Sequence, residues 1–215
     1  MPARTSLPLS DLELDALTEL VNIGVSRAAT SLRDMIGKQV TLSVPRIDLL
    51  TCTEAAQTIS EKESNALVGV HQAFEGDLTG RALLIFPEAN SLELVRAVTG
   101  GDLPLEDIVS LEQEALAETG NIILNNCLST IANMLNRNFK ISLPQVVHGT
   151  GATIFDLSGC DESKDAVLFL YIDFNVMERD IRGYITMLMD LPALASLQKL
   201  LQEFIRRTTG EQSGA

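Results

Sequence analysis

The chain has 215 residues, a net charge of −13 and a hydrophobic content of 46%. This charge argues against a nucleic-acid-binding protein, because phosphate binding needs a basic surface. With no tryptophan and only 4% aromatic residues, the chain also lacks platforms on which bases could stack.

No apolar run approaches the roughly 18 residues that a membrane-spanning helix needs, and the N-terminus lacks the apolar stretch of a signal peptide. We therefore expect a cytoplasmic protein. Cys52, Cys127 and Cys160 are far apart and odd in number, which favours reduced, mostly buried thiols over a disulfide framework or a zinc site. His71 and His148 stand alone, which favours structural roles over metal binding. No metal and no cofactor of its own is predicted.

The first predicted helix begins at Ser10 and ends at Gly37. Ser10 and Glu13 have the spacing of a capping box, in which each side chain hydrogen-bonds the other residue's backbone N–H. Apolar residues then recur at about 100° per residue and predict a buried side formed by Leu17, Val21, Gly24, Ala28 and Met35. The opposite, exposed stripe contains Asp15, Glu19, Asn22 and Ser26.

The next elements lead to the middle of the chain. Residues 38–50 predict a strand with Pro45 at an edge or a bend, and residues 51–64 are polar and predicted to be irregular. Residues 66–74 and 79–86 predict an antiparallel pair around an E-G-D turn. A helix capped by Asn90 should run to Thr99, and residues 102–109 are predicted to be a link.

The second half repeats this order. The predictions are a helix over 110–137 with a capping box at Ser110 and Gln113, a strand over 139–144, a loop over 149–165, strands over 166–174 and 181–189, a helix from Asp190 to about Arg207, and a disordered tail over 208–215.

A Glu-x-x-Asn pattern occurs in both long helices. Glu118 and Asn121 repeat Glu19 and Asn22 at an offset of 99 residues (118 minus 19). A polar stripe alone is what the solvated face of any amphipathic helix shows. Packing does not require that an exposed Glu and Asn be duplicated, so the repeat indicates a function. The second stripe contains Glu114, Glu118, Asn121 and Asn125.

Glutamate and asparagine alone supply no nucleophile, and no Ser-His, Cys-His or metal cluster accompanies them. Glu114 and Glu118 do not suit a glycosidase, because an open helix face lacks a cleft. The pair suits completion of an active site that belongs to another protein. A carboxamide can aim a water in line at phosphorus, as a glutamine does in GTPases, and a carboxylate can pair with a partner's lysine.

The pattern D-x-x-x-E-x-x-N, followed by 22 residues and a proline, resembles the signature of the CheC/CheX/FliY family of chemotaxis phosphatases. The first copy matches it fully. The second copy has glutamate where the family usually shows serine or aspartate. Two intact copies are most similar to CheC-type members, and the resemblance spans residues 10–205. The matching residues are Asp15, Glu19, Asn22 and Pro45 in the first copy, and Glu118, Asn121 and Pro144 in the second.

The repeat and the resemblance together predict an α+β fold. We expect a tandem pseudo-twofold repeat, with two long motif helices packed on an antiparallel or mixed β-sheet. Residues 1–215 should form one domain made of two repeats, about 10–101 and 108–207, with a short flexible C-terminal tail.

The resemblance implies that the chain hydrolyses the aspartyl phosphate of a chemotaxis response-regulator receiver, CheY-P. The receiver would supply the phosphate, a Mg²⁺ ion and a lysine. Asn22 and Asn121 would each align the attacking water, and Glu19 and Glu118 would each pair with the receiver lysine. Further contacts with the partner are expected from Asp15, Ser26, Glu114 and Asn125.

Two alternatives use the same surface without catalysis. One is a module that sequesters the phosphorylated receiver or acts in the flagellar switch, and the other is an adaptor for the receptor deamidase CheD. A sequestering module would keep the acids without requiring the asparagines, so the presence of both asparagines favours catalysis. On this view Asn→Ala changes should hardly affect folding, and the first motif should be at least as active as the second.

Overall fold

The computed structural model describes residues 9–44, 46–63, 66–99, 105–176 and 179–210. The helices in this part of the chain are α1 (Asp11–Ile36), α2 (Cys52–Lys62), α3 (Glu88–Thr99), α4 (Leu105–Met134), α5 (Gly151–Leu157) and α6 (Leu191–Thr209). The strands are β1 (Val40–Ser43), β2 (Ile47–Leu50), β3 (Leu67–Gly76), β4 (Gly80–Pro87), β5 (Phe139–Ile141), β6 (Gln145–Gly149), β7 (Asp165–Val176) and β8 (Arg179–Asp190).

These strands form one antiparallel sheet in the order β1-β7-β8-β4-β3-β5, with β2 also paired to β7 and β6 to β3. The order is symmetric about the central β4–β8 pair, because each central strand is followed outward by a long strand and then a short one. The predicted α+β fold, with two long helices on an antiparallel sheet, is confirmed.

The two halves of the chain exchange their short strands. β1 pairs with β7 of the second half, where Leu42 lies opposite Phe174. β5 pairs with β3 of the first half, where Ile141 lies opposite Phe74. Since Ile141 follows Leu42 by 99 residues (141 minus 42), the strands after the two motif helices occupy equivalent positions.

The sheet is covered on both faces. Alternate residues of a strand point to opposite faces. Leu84 and Phe86 of β4 therefore join the core under α1, α3, α4 and α6, whereas Leu83 and Ile85 join the core under α2 and α5. Because α1 and α4 share one face of the sheet, both motif helices present their outer stripes on the same side of the molecule.

The two motif helices touch at a glycine. A Cβ atom added at Gly24 of α1 would lie 2.8 Å from Cα of Cys127 in α4, which is closer than a real side chain can approach. Cys127 is buried, and its burial raises the pKa of the thiol to about 12. This cysteine therefore packs as a small apolar residue between the helices.

The predicted capping box of α1 is confirmed. The Ser10 N–H donates to a Glu13 carboxylate oxygen at 2.6 Å, and the Glu13 N–H donates to the Ser10 hydroxyl oxygen at 3.4 Å. Gln198 and Gln202 of α6 also donate to this carboxylate, at 3.3 and 2.7 Å. Burial raises the pKa of Glu13, but these hydrogen bonds outweigh it, so the pKa lies below its ordinary value.

Two predicted irregular segments are helices. Residues 51–64 contain α2, which begins with a capping box at Thr51 and Glu54, and the predicted loop over 149–165 contains α5. Both helices are short and expose one polar side, so their sequences look polar overall. In α2 the buried residues Cys52, Ala55 and Ile59 have helical spacing.

Several predicted boundaries are also wrong. α4 begins at Leu105, so Ser110 lies inside the helix and does not cap it, and α4 ends at Met134. α3 begins at Glu88, so Asn90 lies within that helix. Met35, which the helical pattern places on the buried side, is 43% exposed. α6 takes in residues 208–209 of the predicted tail. Residues 211–215 and Pro45 lie outside the described residues.

The prediction of three reduced thiols is wrong for one pair. Cys52 and Cys160 form a disulfide with their Cα atoms 6.2 Å apart, although they are separated by 108 residues in the sequence. The disulfide connects the start of α2 with the segment that follows α5, on the sheet face opposite the motif helices. Cys127 is free and buried, as predicted.

The Glu13 carboxylate should stabilise the fold in a pH-dependent way. We expect Glu13→Gln to lower the free energy of unfolding by about 1 kcal/mol at neutral pH, because several hydrogen bonds lose their charged acceptor. Since the pKa is lowered in the folded state, this stabilisation is fully present above the ordinary value of 4.5 and is lost as pH falls through the folded pKa.

Urea unfolding of both proteins from neutral to acid pH measures the difference, which should shrink as the pH falls. Asp15→Asn removes an exposed carboxylate from the same helix and should change the free energy by less than about 0.5 kcal/mol. A difference that does not depend on pH would contradict the assignment.

Candidate functional site

The first motif lies along the outer side of α1. Asp15, Glu19 and Ser26 are exposed, whereas Asn22 is half-buried. A shallow groove of about 390 Å³ runs beside the motif. The residues that line this groove are Glu19, Asn22, Ile23, Ser26, Arg27 and Thr30.

Asn22 is held by the backbone of the segment that follows β1. Its Nδ2 donates to the Val44 carbonyl oxygen at 3.1 Å, and the Val44 N–H donates to its Oδ1 at 3.0 Å. A backbone N–H can only donate, so this pairing fixes which end of the carboxamide is oxygen. One N–H of Nδ2 remains for another acceptor. Val44 is only 2% exposed, so the paired groups are shielded from water.

The second motif has the same exposure pattern on α4. Glu114 and Glu118 are exposed, and Asn121 and Asn125 are half-buried. Gly120 brings this part of the helix against the sheet, because an added Cβ would lie 2.5 Å from a methyl carbon of Val70 in β3. The second asparagine therefore lies close to the strand beneath it.

Asn121 is held by two other carboxamides. Nε2 of Gln72 in β3 donates to the Ser142 carbonyl oxygen at 2.8 Å and to Asn121 Oδ1 at 3.1 Å. Nδ2 of Asn125 donates to the same Oδ1 at 2.7 Å. Because a carbonyl oxygen can only accept, the Ser142 contact fixes the orientation of Gln72 and through it that of Asn121. Nδ2 of Asn121 has no partner among the described residues.

The predicted site residues therefore fall into two sets. The structure places both Glu–Asn pairs on one side of the molecule, Glu19 with Asn22 and Glu118 with Asn121. Both glutamates are exposed, as predicted. Both asparagines, by contrast, are half-buried and tied to the chain beneath their helices. The expectation that they are freely exposed is wrong, because Asn22 bonds the backbone of Val44 after β1 and Asn121 bonds Gln72 of β3.

Sequence reasoning missed Gln72. A signal is present in strand β3, because its alternate residues Val68, Val70, Gln72 and Phe74 lie on the same face of the sheet. Three of these residues are buried and apolar, so a glutamine at this register is a buried polar group that needs partners. The sequence could have singled out the residue, although not its contact with Asn121.

The motif stripes also carry apolar and basic groups. Leu12 and Leu111 precede their motifs at the same offset of 99 residues (111 minus 12), and they are 59% and 36% exposed. Arg27 is exposed in the groove of the first motif, and its guanidinium donates to the Thr130 hydroxyl of α4 at 3.3 Å. This contact joins the two motif helices beside the groove.

Two further features bear on the site. The described residues contain no group of three or more His, Cys, Asp and Glu side chains that could hold a metal ion. His71 instead contacts the Gln145 side chain at 2.9 Å. Within the described ranges, no helix is both long and apolar enough to cross a membrane.

Two protein-family models match the sequence. The model described as "Chemotaxis phosphatase CheX" matches residues 68–164, and the model described as "CheC-like family" matches residues 12–48. The curated protein "CheY-P phosphatase CheC" of Bacillus subtilis is 26% identical over 141 residues, which are 64% of this chain and 67% of that protein.

Solved structures show the same fold. The crystal structure of Thermotoga maritima FliY matches with a TM-score of 0.73 at 16% identity, covering 92% of this chain and 100% of that chain. The crystal structure of a CheX–CheY–BeF3–Mg²⁺ complex from Borrelia burgdorferi matches with a TM-score of 0.51 at 16% identity, covering 78% of this chain and 96% of that chain.

The hydrogen bonds of Asn22 give it a structural role, which revises the expectation that its change to Ala hardly affects folding. We expect Asn22→Ala to lower the free energy of unfolding by about 2 kcal/mol, because the buried N–H and carbonyl of Val44 lose their partners. The higher helix propensity of alanine offsets only a small part of this loss. Chemical denaturation measures the change. Ser26→Ala, one turn later on the exposed stripe, should stay within about 0.5 kcal/mol, and equal stabilities of the two variants would contradict the prediction.

Proposed function

We propose that this chain, which belongs to the CheC/CheX/FliY family, hydrolyses the aspartyl phosphate of a CheY-like receiver. The family matches confirm the resemblance that its two motifs predicted. The named phosphatases among its relatives support the reaction, and the solved complex of CheX with CheY supports a receiver as the partner.

One observation carries the proposal for this chain. In each half, the motif asparagine has a fixed orientation, and at least one N–H of its Nδ2 has no partner among the described residues. Each lies one helical turn from an exposed glutamate. A side chain that merely solvates a helix needs no such support, whereas a group that must aim a water molecule benefits from being held in advance.

The carboxamide would act on the attacking water. Nδ2 of Asn22 or Asn121 donates to one lone pair of the water oxygen, and the other lone pair attacks phosphorus in line. The bond between phosphorus and the aspartyl oxygen breaks, the receiver aspartate leaves as a carboxylate, and a proton of the water passes to the phosphate product. The phosphate and its Mg²⁺ ion belong to the receiver, so this chain supplies positioning and no cofactor.

The exposed acids would hold the receiver in place. Glu19 and Glu118 are available to pair with a lysine of the receiver, which neutralises both charges at the interface. Asp15 and Glu114 lie one turn before these glutamates, and Ser26 and Asn125 lie one turn after the asparagines. The leucines at the start of the two stripes add apolar area to the same docking surface.

The asparagines separate a catalyst from a module that only sequesters the receiver. We expect phosphate loss in a single turnover to fall by about 10²–10³ when both Asn22 and Asn121 are replaced by Ala, because each removes one oriented donor. Either single change should leave the activity of the other site. Purified CheY receivers are phosphorylated, and each is mixed with an excess of this chain. The receiver that loses its phosphate fastest is used in the later measurements.

Affinity for the same receiver bound to BeF3 and Mg²⁺ should remain nearly unchanged in the double variant. Hydrolysis at the parent rate by a folded double variant would rule out the mechanism. Binding without any acceleration by the parent would instead favour the sequestering module.

The glutamates should control affinity. We expect Glu19→Ala combined with Glu118→Ala to weaken binding of the receiver. The loss should be about 2–5 kcal/mol at each site where the ion pair between the glutamate and the receiver lysine is buried on binding. The affinity should also depend less on salt concentration. Titration at two salt concentrations measures both effects.

A control double variant, Glu61→Ala with Asp156→Ala, changes the net charge equally on α2 and α5, on the other side of the sheet. It should bind as the parent does. Equal affinity of the two double variants would contradict the anchoring role.

A further inference from the structure

Gln72 is a buried carboxamide in the middle of an apolar strand. It is 0% exposed, and its neighbours on the same face of β3, Val70 and Phe74, are each 1% exposed. Its Nε2 donates to the Ser142 carbonyl oxygen and to Asn121 Oδ1. Its Oε1 is buried and has no hydrogen-bond partner among the described residues.

We propose that Gln72 is a positioning residue that orients Asn121 for catalysis at the second motif. The inference rests on the proposed function, because it assumes that Nδ2 of Asn121 aligns the attacking water. With Gln72 and Asn125 donating to Oδ1, both lone pairs of that oxygen are used, so Nδ2 must point away from them.

The same position in the other half supports this role. Leu42 and Ile141 occupy equivalent positions, and they lie opposite Phe174 and Phe74, respectively. Phe174 is therefore the equivalent of Phe74. Two residues earlier on each strand, Ile172 is the equivalent of Gln72. Ile172 is 3% exposed and packs in the same core. An apolar side chain therefore fills this place well, and packing alone does not call for a carboxamide.

The two asparagines consequently depend on different supports. Asn22 is oriented directly by the backbone of Val44. The residue equivalent to Val44 in the second half is Leu143 (44 plus 99), which is 84% exposed and makes no such pair with Asn121. Gln72 connects Asn121 to Ser142, the residue before Leu143, and so replaces the missing backbone contact.

The glutamine also costs stability. Gln72 Oε1 and Asn125 Oδ1 are both buried without a partner among the described residues, and buried unsatisfied acceptors are unfavourable. A chain that used this cluster only for folding would gain by replacing Gln72 with an apolar residue. Orientation of Asn121 is a use that an apolar residue cannot supply.

The test isolates the second site. In a chain carrying Asn22→Ala, we expect Gln72→Met, a substitution of similar size, to lower the saturating single-turnover rate by about tenfold or more. The chain concentration that gives half the maximal rate should not change, because Gln72 is buried and cannot touch the receiver. With Asn121→Ala also present, Gln72→Met should cause no further loss.

The outcomes separate this inference from the proposed function. An unchanged saturating rate for Gln72→Met, in a background where Asn121→Ala abolishes acceleration, overturns the role of Gln72 and leaves the function standing. Parent-like hydrolysis without either asparagine overturns the function itself. Thr186→Val replaces another fully buried polar side chain, on the opposite face of the sheet, and should leave the rate unchanged. A loss of rate in this control as large as that in Gln72→Met would also overturn the assignment.

A measurement on the unaltered chain does not depend on how the variants fold. In NMR spectra of the side-chain carboxamides, both Nδ2 protons of Asn121 should exchange rapidly with water, because no described residue accepts a hydrogen bond from them. One Nδ2 proton of Asn22 should be protected by Val44. Protection of the Asn121 protons would show that the carboxamide is reversed and would overturn the inference.

Discussion

The close approach of α1 and α4 at Gly24 determines how the rest of the molecule presents its motifs. An added Cβ there would lie 2.8 Å from the backbone of Cys127, so only glycine allows this helix contact. The contact places both long helices side by side on one face of the sheet. The apolar sides of both helices are then buried, and their outer stripes are on the same side of the molecule.

A repeated sequence motif has not produced two identical sites. Asn22 and Asn121 both lie half-buried on their helices, yet one is oriented by a backbone amide and the other by a glutamine side chain. The difference arises after the helices, where Val44 turns inward and Leu143 remains exposed. The shared result is a carboxamide with a fixed direction, reached through different neighbours.

The sequence predicted the parts of the structure that depend on local chemistry. The capping box at Ser10, the helix start at Asp190 and the β3–β4 pair follow from residues close together in the chain, and all three are present. The two Glu-x-x-Asn stripes were found because helical periodicity places them on one side. The family resemblance then predicted how the repeats combine.

The remaining features depend on contacts between distant residues. Cys52 and Cys160 meet because α2 and α5 pack on the same face, which spacing in the sequence does not reveal. The short helices α2 and α5 escape prediction because an amphipathic pattern of only 11 or 7 residues resembles a polar loop. The contact of Gln72 with Asn121 depends on how closely α4 approaches β3. Gly120 permits this close approach, and the spacing of residues in the sequence does not reveal it.

The exchange of strands between the halves has a consequence for how the chain acquires its sites during synthesis. β1 follows the first motif helix directly, yet its partner strand is β7, and Val40 pairs with Val176, 136 residues later (176 minus 40). Such distant pairing carries a large loop-closure entropy and slows folding. The first motif, although made early on the ribosome, therefore has its supporting strand in place only after most of the second half has emerged.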